Sequence, residues 1–189
     1  MNNKYILLRH GETRYQAEKL DVLYTKDENP GLSITENGKE KIKIVAKELS
    51  SKGIDVIYCS TYHRTKETAE IVNKELRVDI KFDSRLIDTN FGVFHGKRGE
   101  EYRKFFSDKK ERFSKRTPSG ESWKDVRERV IAVMAEIEKE HNGKTILIIS
   151  HGDPIWLLVG YLKGLSEDEL LEKMYVDGFW PHVGQYIEP

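Results

Sequence analysis

The chain has 189 residues, enough for one well-buried core and too few for two ordinary domains. Its 32 Lys and Arg residues balance 32 Asp and Glu residues, which excludes the overall basic field that favours nucleic-acid binding. No apolar run approaches the ~20 residues of a membrane helix, and the apolar stretch near the N-terminus is too short for a secretion signal. The single cysteine, Cys59, excludes an internal disulfide and is expected to be a buried strand thiol. We therefore expect a cytoplasmic protein with neither a nucleic-acid nor a membrane partner.

The first half of the chain predicts two buried strands with an amphipathic helix between them. Residues 5–8 and 56–59 are apolar without polar alternation, which is typical of strands that are covered on both faces. Between these runs, apolar side chains recur with the spacing of one helix face from Ile42 to Leu49. Gly53 is placed to end that helix.

The second half predicts a third strand with helices on either side. Residues 97–120 are strongly basic with interleaved phenylalanines, and they form either a cap over a site or a solvated helix that packs on the body. Ser122 is placed to cap a helix whose apolar face runs through residues 123–137. The apolar run 146–149 is the third strand, and Asp153 is predicted as the N-cap of the helix that follows.

Strands that alternate with helices predict an α/β fold. We expect a three-layer sandwich with a mostly parallel central sheet and helices on both faces. The chain has no repeat, low-complexity tract or linker, so residues 1–189 are expected to form one domain, with residues 97–120 as its candidate cap.

Basic side chains follow each of the three predicted strands. Arg9 and His10 follow the first strand, Arg64 lies at the start of the helix after the second, and His151 follows the third. In open α/β sheets, ligands bind beyond the carboxyl ends of the strands, so these side chains are expected at one edge. Two imidazoles and two guanidiniums repel one another unless an anion lies among them.

A phosphoryl group is the anion that suits this cluster. Guanidiniums match its oxygens in bidentate fashion, and helix N-termini supply backbone N–H donors. Gly11 and Gly152, each directly after a histidine, permit a close approach of the backbone to a substrate. A zinc site is disfavoured because the chain has neither an H-E-x-x-H motif nor paired cysteines. We expect no metal and no cofactor, and a neutral imidazole then serves as the nucleophile.

The stretch "LLRHGET" resembles the Arg-His-Gly signature of the histidine phosphatase superfamily, the phosphoglycerate mutase-like proteins. The resemblance continues in order along nearly the whole chain and favours the small phosphatase branch. The further segments that resemble family motifs are "PGLSITENGKEKI", "YCSTYHRTKETAEI", "RLIDTNFGVFHGK", "SGESWKDVRERV" and "ISHGDPI". The first motif is moderately specific alone, whereas the ordered set is highly specific.

The resemblance implies a role for each residue that matches a motif. His10 would be the nucleophile that becomes phosphohistidine. Arg9, Arg64 and His151 would hold the phosphoryl oxygens and stabilise the charge of transfer. Asp88 would be the general acid, which protonates the leaving alcohol and later activates water.

Two positions depart from the family pattern. Small members of the family usually have Glu at the position of Asp88 and Asn at the position of Gln16. In this chain, Gln16 would add an amide donor to the phosphate site. The side chain of Asp88 is one methylene shorter than that of Glu. Because a misplacement of a catalytic group by about 1 Å can lower the rate on the order of a hundredfold, this difference bears on whether Asp88 is the acid. Glu12, Glu121 and Asp153 remain alternative acids, Asp153 because another branch of the superfamily uses an aspartate beside its second histidine.

The sequence favours a phosphomonoester hydrolase that acts on a small phosphorylated metabolite. A phosphoglycerate mutase is a rival, although the mutases of this family are usually longer and have a Glu-Arg-His-Tyr-Gly acid segment where this chain has "DTNFGVF". A phospho-ligand binding module without catalysis is the third hypothesis, because of the departures at Asp88 and Gln16. The sequence indicates neither the substrate nor the oligomeric state.

Overall fold

One five-stranded sheet forms the centre of the computed structural model, which describes residues 1–189. The sheet order is β3-β2-β4-β1-β5; the first four strands are parallel and β5 runs antiparallel to β1. The prediction of a mostly parallel sheet is therefore confirmed. The strands are β1 (Lys4–Arg9), β2 (Val56–Ser60), β3 (Asp79–Asp83), β4 (Thr145–Ser150) and β5 (Tyr186–Ile187).

Eight α-helices accompany the strands, and four of them cover the sheet. Helices α2 and α3 pack on one face, and helices α6 and α7 pack on the other, so the prediction of three layers is also confirmed. The helices are α1 (Arg14–Ala17), α2 (Glu36–Leu49), α3 (His63–Leu76), α4 (Gly99–Lys104), α5 (Glu111–Ser114), α6 (Trp123–Glu140), α7 (Gly152–Leu162) and α8 (Glu167–Tyr175).

The uniform apolar character of the central strands follows from this covering. Side chains alternate between the two faces of a strand, so a strand buried on both sides needs an apolar residue at every position. In β1, Tyr5 and Leu7 join the core beneath α6 and α7, while Ile6 and Leu8 join the core beneath α2 and α3. Cys59 lies in this second core and is fully buried, as expected.

The residues predicted to begin or end helices are partly confirmed. The Ser122 side chain accepts a hydrogen bond from the Asp125 amide and caps α6 as predicted. Helix α2 ends at Leu49, four residues before Gly53, which instead takes a positive φ of 65° in the turn that leads to β2. None of the helices combines the length and the apolar character that crossing a membrane requires.

The prediction of Asp153 as an N-cap is wrong. Helix α7 begins at Gly152 with His151 at its N-cap, which places Asp153 and Pro154 inside the first turn. Proline is tolerated there because the first-turn N–H groups have no intrahelical acceptor, so Pro154 does not fix the register of the helix start. The earlier start brings the helix N-terminus directly to the end of β4.

The basic segment 97–120 folds as two short helices, α4 and α5, that lie against the body. Phe113 is buried beside Trp123 and Trp156, with ring centroids 5.1 and 6.0 Å away. Phe106 packs on Tyr102 at 5.3 Å. Aromatic packing thus fixes the segment beside the loops that follow the strands.

Candidate active site

The parallel strands bring the predicted basic side chains together. Because β4 lies between β1 and β2, the residues after these three strands meet at one edge of the sheet. The ring centroids of His10 and His151 are 5.3 Å apart. Arg64, the second residue of α3, donates a hydrogen bond of 3.0 Å from Nη2 to Nδ1 of His151. This cluster is the candidate active site.

His10 has the state required of a nitrogen nucleophile. It is fully buried, and its Nδ1 lies 2.8 Å from the carbonyl oxygen of Gly11, so Nδ1–H donates there and Nε2 carries the lone pair. Nε2 has no hydrogen-bond partner within the protein. Burial, followed by the charges of Arg64 and Arg9, lowers the pKa of His10 well below its ordinary value. The imidazole is therefore neutral near pH 7.

His151 is held by two neighbours. Its Nδ1 accepts from Arg64, which is always a donor, so the neutral ring carries its proton on Nε2. That Nε2 lies 2.8 Å from Oγ of Ser60 and donates to it. Burial, together with the nearby charge of Arg64, lowers the pKa of His151 well below its ordinary value. This ring is fixed in orientation as well as in charge.

Arg64 is the fully buried cation of the cluster. Its Nη1 donates to the Asn29 carbonyl at 2.7 Å, and its Nη2 donates to the Asp88 carboxylate at 3.1 Å. The rings of Tyr24 and Tyr62 lie against the guanidinium, with centroids 4.6 and 5.1 Å from Cζ. Stacked and bonded in this way, Arg64 presents its charge in a low-dielectric surrounding, where electrostatic interactions are strong.

Arg9 and Gly152 form the side of the site nearest the C-terminal segment. Nη1 of Arg9 donates to the Pro181 carbonyl at 2.8 Å. A Cβ on Gly152 would lie 2.8 Å from the Trp180 ring and 3.4 Å from the Arg9 guanidinium. Glycine is needed here because Arg9 and Trp180 both approach the start of α7 closely.

Asp88 reaches the cluster despite its short side chain. It is only 9% exposed, accepts from Nη2 of Arg64, and accepts from the Thr89 amide at 3.0 Å. Burial raises the pKa of Asp88 above its usual range, against the lowering influence of Arg64. A raised pKa suits a carboxyl group that must be protonated to act as a general acid.

Arg129 of α6 holds the loop that carries Asp88. Its guanidinium donates to the carbonyls of Arg85, Ile87 and Asp88 at 2.5, 2.8 and 3.0 Å. It also pairs with the Glu121 carboxylate at 2.9 Å. These contacts fix the backbone on which the shorter side chain is placed.

The alternative acids lie in different surroundings. Glu12 binds Thr35 and Asn37 at the start of α2, at 3.1 and 2.9 Å, and Glu121 is paired with Arg129. Neither lines the cleft beside the cluster, whereas Asp153 does and accepts a hydrogen bond of 2.7 Å from the Thr89 hydroxyl. The structure therefore leaves Asp153 as the rival of Asp88.

Two predicted substrate-binding residues have their polar groups engaged within the protein. The Gly11 amide donates to Oγ1 of Thr68 at 3.0 Å, and its carbonyl orients His10, so Gly11 serves the histidine rather than an exposed surface. Gln16 lines the cleft, but its amide donates to the Tyr24 hydroxyl at 2.8 Å and its oxygen accepts from Thr13.

A cleft of about 170 Å³ opens over the cluster. His10, Arg64 and His151 do not line it; they are fully buried behind Asp88, which Arg64 contacts. Tyr24 covers Arg64 from the cleft side. The residues that line the cleft are Arg9, Tyr15, Gln16, Leu20, Val22, Leu23, Tyr24, Asp88, Phe91, Gly152, Asp153 and Trp180.

Several of these contacts have no counterpart in the sequence analysis. Ser60 belongs to a quoted motif, yet nothing in a single sequence says that its hydroxyl meets His151. Tyr24 and Trp180 come from irregular segments, Asn29 begins a single turn of 3-10 helix, and Arg129 is one basic residue among several in α6. Only the packed fold brings them to the site.

The chain belongs to the histidine phosphatase superfamily, branch 1, because the model of that family matches residues 5–176. This confirms the resemblance found in the motifs. A relative in Salmonella arizonae, named "Probable phosphoglycerate mutase GpmB", is 32% identical over 168 residues, which is 84% of this chain and 74% of that protein.

Solved structures show the same fold. Bacillus stearothermophilus YhfR superposes with a TM-score of 0.75 at 28% identity, over 89% of this chain and 83% of that one. The mycobacterial glucosyl-3-phosphoglycerate phosphatase gives 0.77 at 18% identity, over 97% and 88%. The alpha-ribazole phosphatase of Shigella flexneri gives 0.75 at 22% identity, over 97% and 88%. At identities of 18% and 22%, the last two structures are similar to this chain in fold alone.

The buried neutral histidines predict how stability depends on pH. Below about pH 6.5, an unfolded His10 takes up a proton that the folded one does not, so the free energy of unfolding falls as the pH falls. Each such histidine contributes a slope of up to about 1.4 kcal/mol per pH unit. Urea unfolding between pH 7.5 and 5.5 should therefore show a shallower loss of stability in His10→Gln than in the wild type.

Asp88 acts in the opposite sense, because its raised pKa lets the folded state take up a proton first. It is unchanged in His10→Gln, so the difference between the two proteins reports the histidine. His63→Gln, at an exposed histidine, is the matched control and should follow the wild type. An identical slope in His10→Gln and wild type would mean that His10 is not held neutral.

Proposed function

We propose that this protein hydrolyses phosphomonoesters of small metabolites through a phosphohistidine at His10. The observation that carries the proposal is the neutral imidazole whose unpartnered Nε2 lies among buried cations. A nitrogen whose lone pair is taken up by a proton or a hydrogen bond could not attack phosphorus. The negative phosphoryl oxygens, in turn, need cations nearby. Membership in the histidine phosphatase superfamily supports the same chemistry.

In the first step, Nε2 of His10 attacks the phosphorus atom and the bond from phosphorus to the ester oxygen breaks. The protonated Asp88 gives its proton to that oxygen, so the alcohol leaves neutral. In the second step, Asp88 takes a proton from water, which attacks the phosphohistidine. The bond between phosphorus and nitrogen breaks, inorganic phosphate leaves, and His10 and Asp88 return to their starting states.

Arg9 and Arg64 stabilise the phosphoryl oxygens during both steps. Arg64 already contacts Asp88, His151 and Asn29, so an arriving phosphoryl group must replace or share at least one of these contacts. When the guanidinium turns to the phosphoryl oxygens, Asp88 loses part of the cation that lowers its pKa. The anionic substrate thus favours protonation of the acid that it needs.

A mutase is the second candidate, because the Salmonella arizonae relative is named as one. Hydrolysis is favoured by the segment "DTNFGVF", which stands where the mutases that the chain resembles have Glu-Arg-His-Tyr-Gly. The binding-module hypothesis requires that Asp88 or Gln16 fail in its role. Burial raises the pKa of Asp88 despite the opposing charge of Arg64, and this favours a working acid.

The three candidates give different products. With 4-nitrophenyl phosphate and with 3-phosphoglycerate, a hydrolase releases one inorganic phosphate for each alcohol formed. A mutase would yield 2-phosphoglycerate with little inorganic phosphate, and a binding module would bind vanadate without turning over either ester. Phosphate release at less than a hundredth of the rate of isomerisation would contradict the proposal.

The Asp88 assignment predicts a dependence on the leaving group. Because general acid catalysis contributes ~10²–10⁴-fold, Asp88→Asn should slow hydrolysis of an alkyl phosphate by about that factor. An aryl phosphate, whose acidic phenol leaves without help, should be slowed much less. The basic limb of the pH profile, which should lie above the ordinary pKa range of aspartate, should also flatten.

Asp153→Asn is the matched control, since Asp153 is the other carboxylate in the cleft. It should affect both esters alike. If Asp153→Asn discriminates between the esters and Asp88→Asn does not, the roles of the two carboxylates are reversed.

A further inference from the structure

A second cavity adjoins the cleft over the cluster. The two cavities share the lining residues Leu23, Phe91, Asp153 and Trp180, so a substrate in the cleft lies directly beside the second cavity. The second cavity, here called the distal chamber, measures about 280 Å³, larger than the cleft itself at about 170 Å³. Its other walls are Gly99, Tyr102, Arg103, Arg112 and Met174.

The walls of the distal chamber are chiefly apolar or aromatic, with few charges. Leu23, Phe91, Tyr102, Met174 and Trp180 supply the apolar surface. Such a surface favours an aliphatic or aromatic portion of a ligand, which gains free energy when it leaves water. The charged side chains of the chamber then determine which chemical group the far end of the ligand can carry.

Arg112 is the cation of the chamber that has no anionic partner. No carboxylate forms a salt bridge with it; its guanidinium carbon lies 3.6 Å from the Trp123 ring centroid and 5.0 Å from that of Tyr102. Its one side-chain hydrogen bond is a long contact of 3.5 Å with the Tyr102 hydroxyl, and its Nε is buried without a partner. Stacking therefore holds the guanidinium in place while its charge stays uncompensated.

The chamber has two other charged residues, of which only Arg103 forms a salt bridge. Arg103 pairs with Asp21 at 3.1 Å. Asp153 accepts from the Thr89 hydroxyl at 2.7 Å and lies on the side that the chamber shares with the cleft. An anion at Arg112 would thus meet a stacked, planar donor that forms no salt bridge within the protein.

We propose that the substrate is a phosphomonoester whose leaving group carries a second anionic group, a carboxylate or a second phosphate, at its far end. Arg112 receives that anion, and the apolar walls of the distal chamber hold the portion between the two charged ends. This inference rests on the proposed phosphatase function and names its substrate class. Arg112 is then a specificity-determining residue supplied by the segment 97–120.

Paired substrates test the inference. The probes are phenyl phosphates with a para alkyl chain of increasing length that ends in a carboxylate, each beside its neutral methyl ester. A hydrogen-bonded charge pair discriminates by about tenfold to a hundredfold, so kcat/KM for the acid should exceed that for the ester by about this factor at the best length. A parallel series that ends in a phosphate identifies which anion the site prefers.

Variants assign the preference to Arg112. Arg112→Met should bring the ratio of acid to ester close to one, and Arg112→Lys should keep part of it because the charge remains. Lys104→Met removes one positive charge from the same segment at an exposed residue outside both cavities, and it should leave the ratio unchanged. An undiminished ratio in both Arg112 variants would overturn the assignment.

The outcome separates this inference from the proposed function. Hydrolysis of acid and ester with equal kcat/KM at every chain length would overturn the second anion site and leave the hydrolase intact. If the protein hydrolyses neither, the proposed function fails. Calorimetric binding of the corresponding phosphonate pairs then decides on the chamber: tighter binding of the acids supports it, and equal affinities overturn it.

Discussion

The burial of two neutral imidazoles beside two permanent cations is the constraint on which the site depends. His10 and His151 are fully buried and lie within the fields of Arg9 and Arg64. Burial and like charge both disfavour the imidazolium, so the two effects add. A free imidazole in water would be partly protonated near neutral pH, whereas the one built here keeps the lone pair that an attack on phosphorus requires.

The fold holds this arrangement because rigid elements position each of its groups. Three neighbouring parallel strands carry the groups to one edge, and each strand is fixed by apolar cores on both faces. Carbonyls of Gly11, Asn29 and Pro181 then accept from His10, Arg64 and Arg9 respectively, which sets the orientation of each group. Such preorganised contacts limit the rearrangement that the reaction requires to the contacts of Arg64 that the phosphoryl group replaces or shares.

The central strands of the sheet and the main residues of the cluster could be predicted from the sequence. The edge strands β3 and β5, and the side chains that support the cluster, could not. Strands β1, β2 and β4 are legible because burial on both faces demands unbroken apolar runs. Strand β3 has no such run, because it is an edge strand with charged residues and a half-exposed Phe82, and β5 has only two residues.

The same division holds within the site. His10, His151, Arg9 and Arg64 follow strands directly, so their meeting is a consequence of topology. Contacts such as those of Arg129 with the carbonyls of Arg85, Ile87 and Asp88 depend on how α6 packs, which no local pattern encodes. The distal chamber likewise forms only where separate parts of the chain meet, which are Leu23, residues 91–112, Asp153 and residues 174–180.

The account depends most directly on covalent chemistry at His10. The decisive measurement is rapid quenching of the protein during turnover of a phosphorus-labelled aryl phosphate, followed by mapping of the labelled peptide. The account predicts a label that is stable in base, labile in acid, located on His10, and absent from His10→Ala while that variant remains folded. A label on Ser60 or Asp88, or one that persists in His10→Ala, would contradict it.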